Sequence, residues 1–578
     1  MPEDRIKLEY TDPSMRGALE GRLELLCHPE LHEGKECLCV KSNPSRTVWR
    51  CLLDGQGYYL KHYHSRDVWH RLGGLWRGDE AWREAAISHL LRAAGAASVE
   101  VVAVGRTGKR SWMLSREVAP AVPLNIWHDR LVELKGPGDA AARRVGGLLA
   151  EQLGRLHALK LFHGDLHAGN ILLKDPDGAA QPVLMDLHRL RRCRRMRKRL
   201  CALDLAMLMH DRLAATTASE RLAFLRRYLR AAGHSGTLRG WAAWVMHLAY
   251  QHRRQHLAAR DRRTLRPGKY FAPVRLSGGW RGTVLLTCKR ASTPSAVEGR
   301  TFTVEQWREA LVRLLPSPQE AAGMAGARQT LTLGGHSIAV CIKRNRGSTG
   351  LRALADRLRP SGARRAFRLG HALVARRIPA LLPLAVLERR GGGGRRESIL
   401  VTEALEDAVR LNHLVAGKAA AGAEEPAGIS AGPLNLHRGP WPHLPRQLGW
   451  LLHTLHAEGF AYDSLEAADL LCRGAGDDVV VVLADLEGLS RPWRLTRRRQ
   501  FEALMRLNAS LLDCPAISRA GRLRMLLQYL RHSGVGRATY KSYWRALQRW
   551  SLRTWKEEYR RQHASGAAGG AATRSPGE

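Results

Sequence analysis

The segment HGDLHAGN, His163 to Asn170, places an Asp and an Asn five positions apart in one polar loop. MDLHR, Met185 to Arg189, places a second Asp, Asp186, at the end of a strand-like run. Earlier, the alternating segment GYYLKHY (Gly57 to Tyr63) carries Lys61, and the helix-like stretch from Asp79 to Ala93 carries Glu84. These residue types, in this order, suit phosphoryl transfer from a nucleoside triphosphate. That chemistry is mostly positioning and charge neutralisation. It needs a carboxylate near the attacking hydroxyl, oxygen ligands for magnesium and a cation on the phosphates. Asp165 suits the first task, Asn170 and Asp186 the second, and Lys61 the third. Glu84 can hold Lys61 in place, although Glu80 lies one helical turn earlier on a similar face and stays open as the anchor. A lone Asp in a loop usually does no more than face solvent, so it is the ordered set of five that carries the reading.

The elements that must position these residues occur twice. SIAVCIKR (Ser337 to Arg344) matches GYYLKHY and carries Lys343. TEALEDAVRLN (Thr402 to Asn412) matches SREVAPAVPLN (Ser115 to Asn125), and VLADLEGL (Val482 to Leu489) matches VLMDLHRL (Val183 to Leu190). The spacings fix the register: His157 precedes Asp165 by 8 and His456 precedes Ser464 by 8, while Asn170–Asp186 and Asp469–Asp485 are both 16 apart. Two homologous domains are expected, 16–262 and 320–555, joined by a connector, 263–319, that carries strand-like runs near Tyr270–Val274 and Gly282–Thr287. Residues 1–15 and 556–578 read as disordered ends. The Ala/Gly/Pro-rich insert Gly417–Gly439 reads as a loop.

At these residues the chain resembles the protein-kinase-like superfamily. HGDLHAGN resembles the small-molecule branch, which includes aminoglycoside and choline kinases. Asp186-Leu-His-Arg189, followed by an Arg-rich run and then Asp204-Leu205, resembles the lipopolysaccharide core kinases, which phosphorylate Kdo or heptose sugars. The resemblance implies an α+β fold of two bilobal kinase-like domains in tandem, each with an antiparallel sheet plus helix in its N-lobe and a mainly helical C-lobe. It implies ATP and Mg2+ as cofactors, Asp165 as the base on a sugar hydroxyl, and Asn170 and Asp186 as magnesium ligands. Lys61 would contact the phosphates, Glu84 would anchor it, and His163 would brace the loop. Two departures stand out: no GxGxxG loop precedes either strand lysine, and Asp186 is followed by Leu-His rather than Phe-Gly.

The second copy reads as degenerate. Ser464 stands where Asp165 stands and cannot be a base carboxylate, although a one-residue slip would offer Asp463. Ala363 to Arg377 contains no acid to anchor Lys343, while Asp469 and Asp485 retain oxygen ligands.

The composition bears on partners. Lys plus Arg total 93 against 53 Asp plus Glu, a net charge of +40. Such a surface attracts nucleic acid, anionic lipid or an acidic substrate. No basic-aromatic pattern of a known nucleic-acid module is present, so nucleic acid is not expected. Arg189 to Arg199 holds eight Arg or Lys in eleven residues, beginning three after Asp186. It reads either as a solvated helix face or as a dock, led by Arg189, Arg191 and Arg192, for the carboxylate of Kdo, core phosphates or a membrane surface. The start has no apolar signal-like region and no run suits a transmembrane helix. The resemblance, with this charge, implies as partners a lipid A-linked core intermediate and an anionic leaflet, met peripherally from the cytoplasmic side of the bacterial inner membrane. Oligomeric state is not specified. Cys27, His28, His32, Cys37 and Cys39 cluster, but their spacings fit no standard zinc module. The rival readings are a kinase for another small acceptor, a Ser/Thr protein kinase and an inactive scaffold. Cationic acceptors would be repelled by the arginines, and His167 stands where protein kinases commonly have Lys.

Overall fold

The computed structural model describes residues 6–43, 45–64, 79–108, 110–135, 138–213, 215–314, 328–346, 360–390, 396–415, 443–462, 464–474, 479–512, 517–532 and 539–570. The insert 417–439 and Asp463 lie outside the described residues. The chain divides into two compact units, Met1–His256 and Leu257–Glu578.

In the first unit, β1 (Ile6–Thr11), β2 (Cys37–Asn43), β3 (Arg46–Leu53), β4 (Gln56–Tyr63), β5 (Val101–Thr107) and β6 (Arg110–Arg116) form an antiparallel sheet in the order β1-β5-β6-β4-β3-β2. Residue alternation on β4 sets its two faces. Tyr58 and Leu60 enter a core with Leu25, Leu26, Trp49 and Trp112. Lys61 and Tyr63 therefore share the other face, where Tyr63 packs with Ala81 and Ala85 of helix α1 (Glu80–Ala93). A one-residue slip of β4 would bury Lys61 in the tyrosine core. Helix α1 starts where the Asp79 carboxylate accepts the Ala81 N–H at 2.9 Å, a side-chain N-cap.

The N-terminal residues depart from expectation. Residues 1–15 were expected to be disordered, yet Ile6–Thr11 pairs with β5, because its backbone groups find partners along the sheet edge. Among the described residues no three His, Cys, Asp or Glu side chains gather as metal ligands. Cys37 faces Cys51 across the β2–β3 pair, and Cys27 accepts from Thr107 Oγ1.

The rest of the first unit is mainly helical, with α2 (Ala140–Ala158), α3 (Lys198–Met209) and α4 (Ala218–Ala232) around a core that includes Leu149, Leu153, Leu205 and Tyr228. Short strands β7 (Ala121–Pro123), β8 (Leu161–Phe162), β9 (Ile171–Lys174), β10 (Gln181–Leu184) and β11 (Arg191–Arg192) form sheets β10-β9-β7 and β11-β8.

The second unit repeats the plan. Its strands β12 (Phe271–Arg275), β13 (Arg281–Leu285), β14 (Arg328–Leu333), β15 (His336–Arg346), β16 (Pro383–Arg390) and β17 (Arg396–Glu403) are ordered β12-β13-β16-β17-β15-β14. The segment expected as a connector, 263–319, is thus part of the second unit. Its two strands form a sheet edge, and helix α5 (Val304–Leu314) buries Trp307, whose indole N–H donates to Leu285 O at 2.8 Å. Apolar burial of this kind is incompatible with a free linker.

Helix α6 (Gly362–Ala375) lies in chain order where α1 does, and β18 (Ala408–Arg410) begins the smaller sheets. Beyond it come α7 (Leu444–Ala457), β19 (Ala461–Tyr462), β20 (Leu470–Arg473), β21 (Val480–Leu483), β22 (Leu489–Ser490), α8 (Arg497–Ser510), α9 (Arg519–His532) and α10 (Tyr540–Gly570). The small sheets β18-β20-β21 and β19-β22 mirror those of the first unit. Helix α10 runs through Gly570, past the expected end of order at 555; KEEYRRQH is rich in good helix formers and favours its continuation past 555. Residues 571–578 lie outside the described ones. Among the described residues no helix is long and apolar enough to cross a membrane.

Candidate active site

Strand β4 and helix α1 bring the first pair together. Lys61 Nζ donates to Glu84 Oε1 at 2.6 Å. Glu84 is fully buried, and its other oxygen accepts from the Tyr63 hydroxyl at 2.5 Å. Glu80 is exposed in the first turn, so burial selects Glu84 of the two acids. Burial, with the Glu84 charge, pushes the Tyr63 phenol well above its usual range, which keeps it a donor.

The loop between β8 and β9 carries Asp165 and Asn170. Asn170 Nδ2 donates to the backbone carbonyl of Asp165 at 3.0 Å, which leaves its amide oxygen as the atom a metal can use. The loop is anchored from below by Asp204 on α3, fully buried. Its carboxylate accepts the N–H of His163 at 2.8 Å and of Gly164 at 3.0 Å, and lies 3.2 Å from His157 Nε2. Gly164 has φ +72°, a conformation that favours glycine and turns the chain between the anchor and Asp165. His163 was expected to brace the loop. Its ring is buried and neither ring nitrogen has a hydrogen-bond partner, so the bracing runs through its backbone N–H.

Asp186 follows β10 in the left-handed region, φ 58°, an uncommon conformation for a non-glycine residue. Its carboxylate gathers three cations or donors. Arg46, at the start of β3, forks onto both oxygens at 2.7 Å. His188 Nδ1 is 2.7 Å from Oδ1, and Lys61 Nζ is 4.0 Å from Oδ1. Burial pushes this carboxyl up. The hydrogen bonds from His188 and Arg46 and the nearby positive charges outweigh burial and hold it well below the usual carboxylate range. Arg83 of α1 donates to His188 O at 3.2 Å and ties that helix to the Asp-Leu-His-Arg segment.

The basic run is not a helix face over most of its length. Arg189 ends a short 3-10 turn, Arg191 and Arg192 form β11 against β8, and α3 begins only at Lys198. Arg189 Nη1 lies 3.7 Å from Asp165 Oδ2, and the Arg191 guanidinium sits 5.3 Å from the Phe162 ring centroid. Arg191 and Arg192 are exposed.

The second unit keeps the backbone frame but differs at the positions that carry the chemistry in the first. Met185 N–H donates to Asn170 O at 3.0 Å, and Ala484 N–H to Asp469 O at 2.9 Å. Buried Ala366, fifth residue of α6, stands where Glu84 is the fifth of α1. Lys343, without that acid, donates to Asp485 at 2.6 Å, and the Tyr462 hydroxyl donates to the other oxygen at 3.1 Å. Asp469 Oδ2 accepts the Glu466 N–H at 3.0 Å, inside its own turn. Ser464 is exposed.

The anchor differs too. Ala503 lies 299 residues after Asp204, the same offset that relates His456 to His157. Both histidines contact a tyrosine hydroxyl, Tyr228 at 2.7 Å and Tyr529 at 2.8 Å. Burial pushes both imidazoles down. The Asp204 hydrogen bond outweighs it at His157, pushed up to about 9, whereas His456, with no such partner, is pushed down to about 4. His157 therefore stabilises the first unit fully below about pH 6.5, and that contribution is lost as pH rises through 9. His456 has the opposite sign: its contribution is lost as pH falls from about 6.5 through 4. Calorimetry with hydrogen exchange to assign the units should show alkaline weakening of the first and acid weakening of the second. The reverse order would contradict this assignment.

Arg46, Arg83 and the roles of His188 and Asp204 are not apparent in the sequence. Asp204 is visible there as an Asp-Leu pair; Arg46 has no local signal among 93 basic residues.

A sheet-borne lysine clamped by a helix glutamate, a loop Asp/Asn pair and a strand-end Asp together define a phosphotransferase of the protein-kinase-like fold. The model of the Lipopolysaccharide kinase (Kdo/WaaP) family matches residues 35–228 and 351–529, well over half of the chain, and the chain belongs to that family. Among solved structures it is similar to WaaP in complex with acyl carrier protein, at 25% identity over 43% of this chain and 98% of that one, with a TM-score of 0.32. It is also similar to an aminoglycoside-3'-phosphotransferase of type VIII, at 17% identity over 41% of this chain and 100% of that one, with a TM-score of 0.24. No curated protein matches its sequence.

Proposed function

We propose that the first unit transfers the γ-phosphate of ATP to a hydroxyl of a Kdo or heptose sugar in the lipopolysaccharide inner core. The acceptor is a lipid A-linked intermediate at the cytoplasmic face of the bacterial inner membrane. The observation that carries the reading is the convergence of Lys61, clamped by Glu84, and Asp186 at 4.0 Å, together with membership of the family.

The donor set fits magnesium. Asp186 and Asn170 offer hard oxygens, and Mg2+ is usually held by one or two such side chains with phosphates and waters completing its shell. When bound, the ion neutralises charge on the phosphates. Lys61 holds the nucleotide, Glu84 and Tyr63 fix the lysine, and Asp165 orients the sugar hydroxyl and accepts its proton. Arg189, beside Asp165, and exposed Arg191 and Arg192 suit an anionic acceptor, since guanidinium pairs with carboxylate or phosphate through two bonds. The net charge of +40 favours an anionic leaflet. The second unit is a degenerate copy that transfers no phosphate: Lys343 is drawn onto Asp485 and no carboxylate stands at Ser464.

The test is transfer of labelled phosphate from ATP to purified deep-rough lipopolysaccharide, with an aminoglycoside and a protein acceptor run beside it. Lipopolysaccharide should be labelled in preference. Preferential labelling of the aminoglycoside would overturn the assignment of acceptor. The double variant Arg191→Ala/Arg192→Ala should raise KM for lipopolysaccharide about 10-fold, since hydrogen bonds between charged groups contribute roughly 1.5–3 kcal/mol. Its KM for ATP should be unchanged. Steady-state kinetics with each substrate varied checks both.

A further inference from the structure

In kinase-like folds a glycine-rich turn covers the nucleotide phosphates. Successive backbone N–H groups can cradle an anion in this way. Here the turn in the corresponding place, one strand before the lysine strand β4, joins β2 to β3, and it is closed on itself. Asn43 Oδ1 accepts from the Ser45 N–H at 3.0 Å, the Ser45 hydroxyl at 2.8 Å and the Arg46 N–H at 2.9 Å. Pro44 has no N–H. Residues 44–46 therefore offer no free backbone donor to a phosphate.

A side chain at the end of this turn can take over. Arg46 pairs with Tyr63 across β3 and β4, two positions from the Lys61–Val48 pair, so it shares a sheet face with Lys61. Both cations converge on Asp186, Arg46 with two bonds of 2.7 Å and Lys61 at 4.0 Å. The same carboxylate is the proposed magnesium ligand. A magnesium ion needs an oxygen at about 2.0–2.1 Å. It would stand against the guanidinium, and like charges so close repel strongly.

We infer that Arg46 is a phosphate-binding residue of the transfer reaction. Its guanidinium caps Asp186 in the nucleotide-free protein and passes to the nucleotide phosphates when Asp186 takes up the metal. This rests on the reading of the first unit as an ATP-dependent kinase. The exchange keeps the guanidinium paired throughout, because phosphate offers the same two-oxygen geometry as carboxylate. It also explains how the site neutralises phosphate charge without a glycine-rich loop. In the second unit Lys343 itself takes Asp485.

The test uses the full chain as wild type, Arg46→Ala and Arg46→Lys. Calorimetry gives the affinity for MgATP and for adenosine, and electron paramagnetic resonance gives the affinity for Mn2+ without nucleotide. Arg46→Ala should lose about 10- to 100-fold in MgATP affinity, the worth of a bidentate charged pair. Its adenosine affinity should be unchanged, and it should bind Mn2+ more tightly because Asp186 is uncapped. If Arg46→Ala does not fold, Arg46→Lys carries the same comparison: an ammonium cannot fork, and MgATP affinity should still fall about threefold or more. Unchanged MgATP affinity overturns the inference alone. An equal loss for MgATP and adenosine also overturns it, since that marks a general distortion. A wild type that binds no MgATP overturns the kinase reading and this inference with it.

Discussion

Replacing Asp165 by Asn should lower kcat about 100- to 10,000-fold, the range that a positioned acid or base contributes, while MgATP affinity stays within about twofold of wild type. Asn keeps the shape and the loop. Asp165 is held at its backbone carbonyl by Asn170 Nδ2, and the anchor to Asp204 engages His163 and Gly164. The substitution therefore removes one function, acceptance of the hydroxyl proton, and spares the frame. Its neighbour Arg189, at 3.7 Å, remains to hold the acceptor. Rapid-quench measurement of the chemical step, beside calorimetric MgATP binding, separates the two effects. A loss below about 10-fold would mean that the carboxylate is not the group that handles the proton.

The second large effect concerns Asp204, which lies under the loop and touches no reacting atom. Asp204→Ala should cost the first unit about 3–5 kcal/mol, because it leaves a buried partner charge and buried N–H groups uncompensated. His157 would lose the acid that holds its proton, and the His163 and Gly164 N–H groups would lose their acceptor. The corresponding fall in the unfolding midpoint is roughly 10 °C. The alkaline weakening assigned to His157 should vanish in the same variant. Scanning calorimetry across pH 6.5 to 9 measures both. A shift of less than about 1 kcal/mol, or an unchanged alkaline slope, would show that the loop is held by other contacts.

The sequence discloses those parts of the site that lie in contiguous motifs. Asp165, Asn170 and Asp186 sit in one short stretch whose spacing recurs in the second copy, and Lys61 follows from strand alternation. The choice between Glu84 and Glu80 is different in kind. Both occupy one helical face by periodicity, and only burial against Tyr63 and Lys61 separates them. Arg46 is further removed, 140 positions from the carboxylate it caps. Nothing local distinguishes it from the other bases. The fold shows the same division. Strand-like runs near 270 and 285 are visible, but β13 pairs with β16, Arg281 opposite Glu388, and local pattern does not reveal a partner so distant. The segment thus looks like a connector until its sheet is seen. The N-terminal strand and the last turns of α10 carry weak patterns, and their order comes from a sheet edge and from helix propagation.

We propose that phosphate transfer resides in the first unit and that the second has lost it. Asp186→Asn and Asp485→Asn make matched substitutions in the two copies, each replacing a carboxylate by its isosteric amide. Labelled transfer from ATP to deep-rough lipopolysaccharide by the two variants tests the claim most directly. Asp186→Asn should abolish transfer, and Asp485→Asn should retain it within about threefold, since hydrogen bonds such as those from Lys343 and Tyr462 contribute to stability rather than to the chemical step. Transfer that survives Asp186→Asn and disappears with Asp485→Asn would place the chemistry in the second unit and contradict the account.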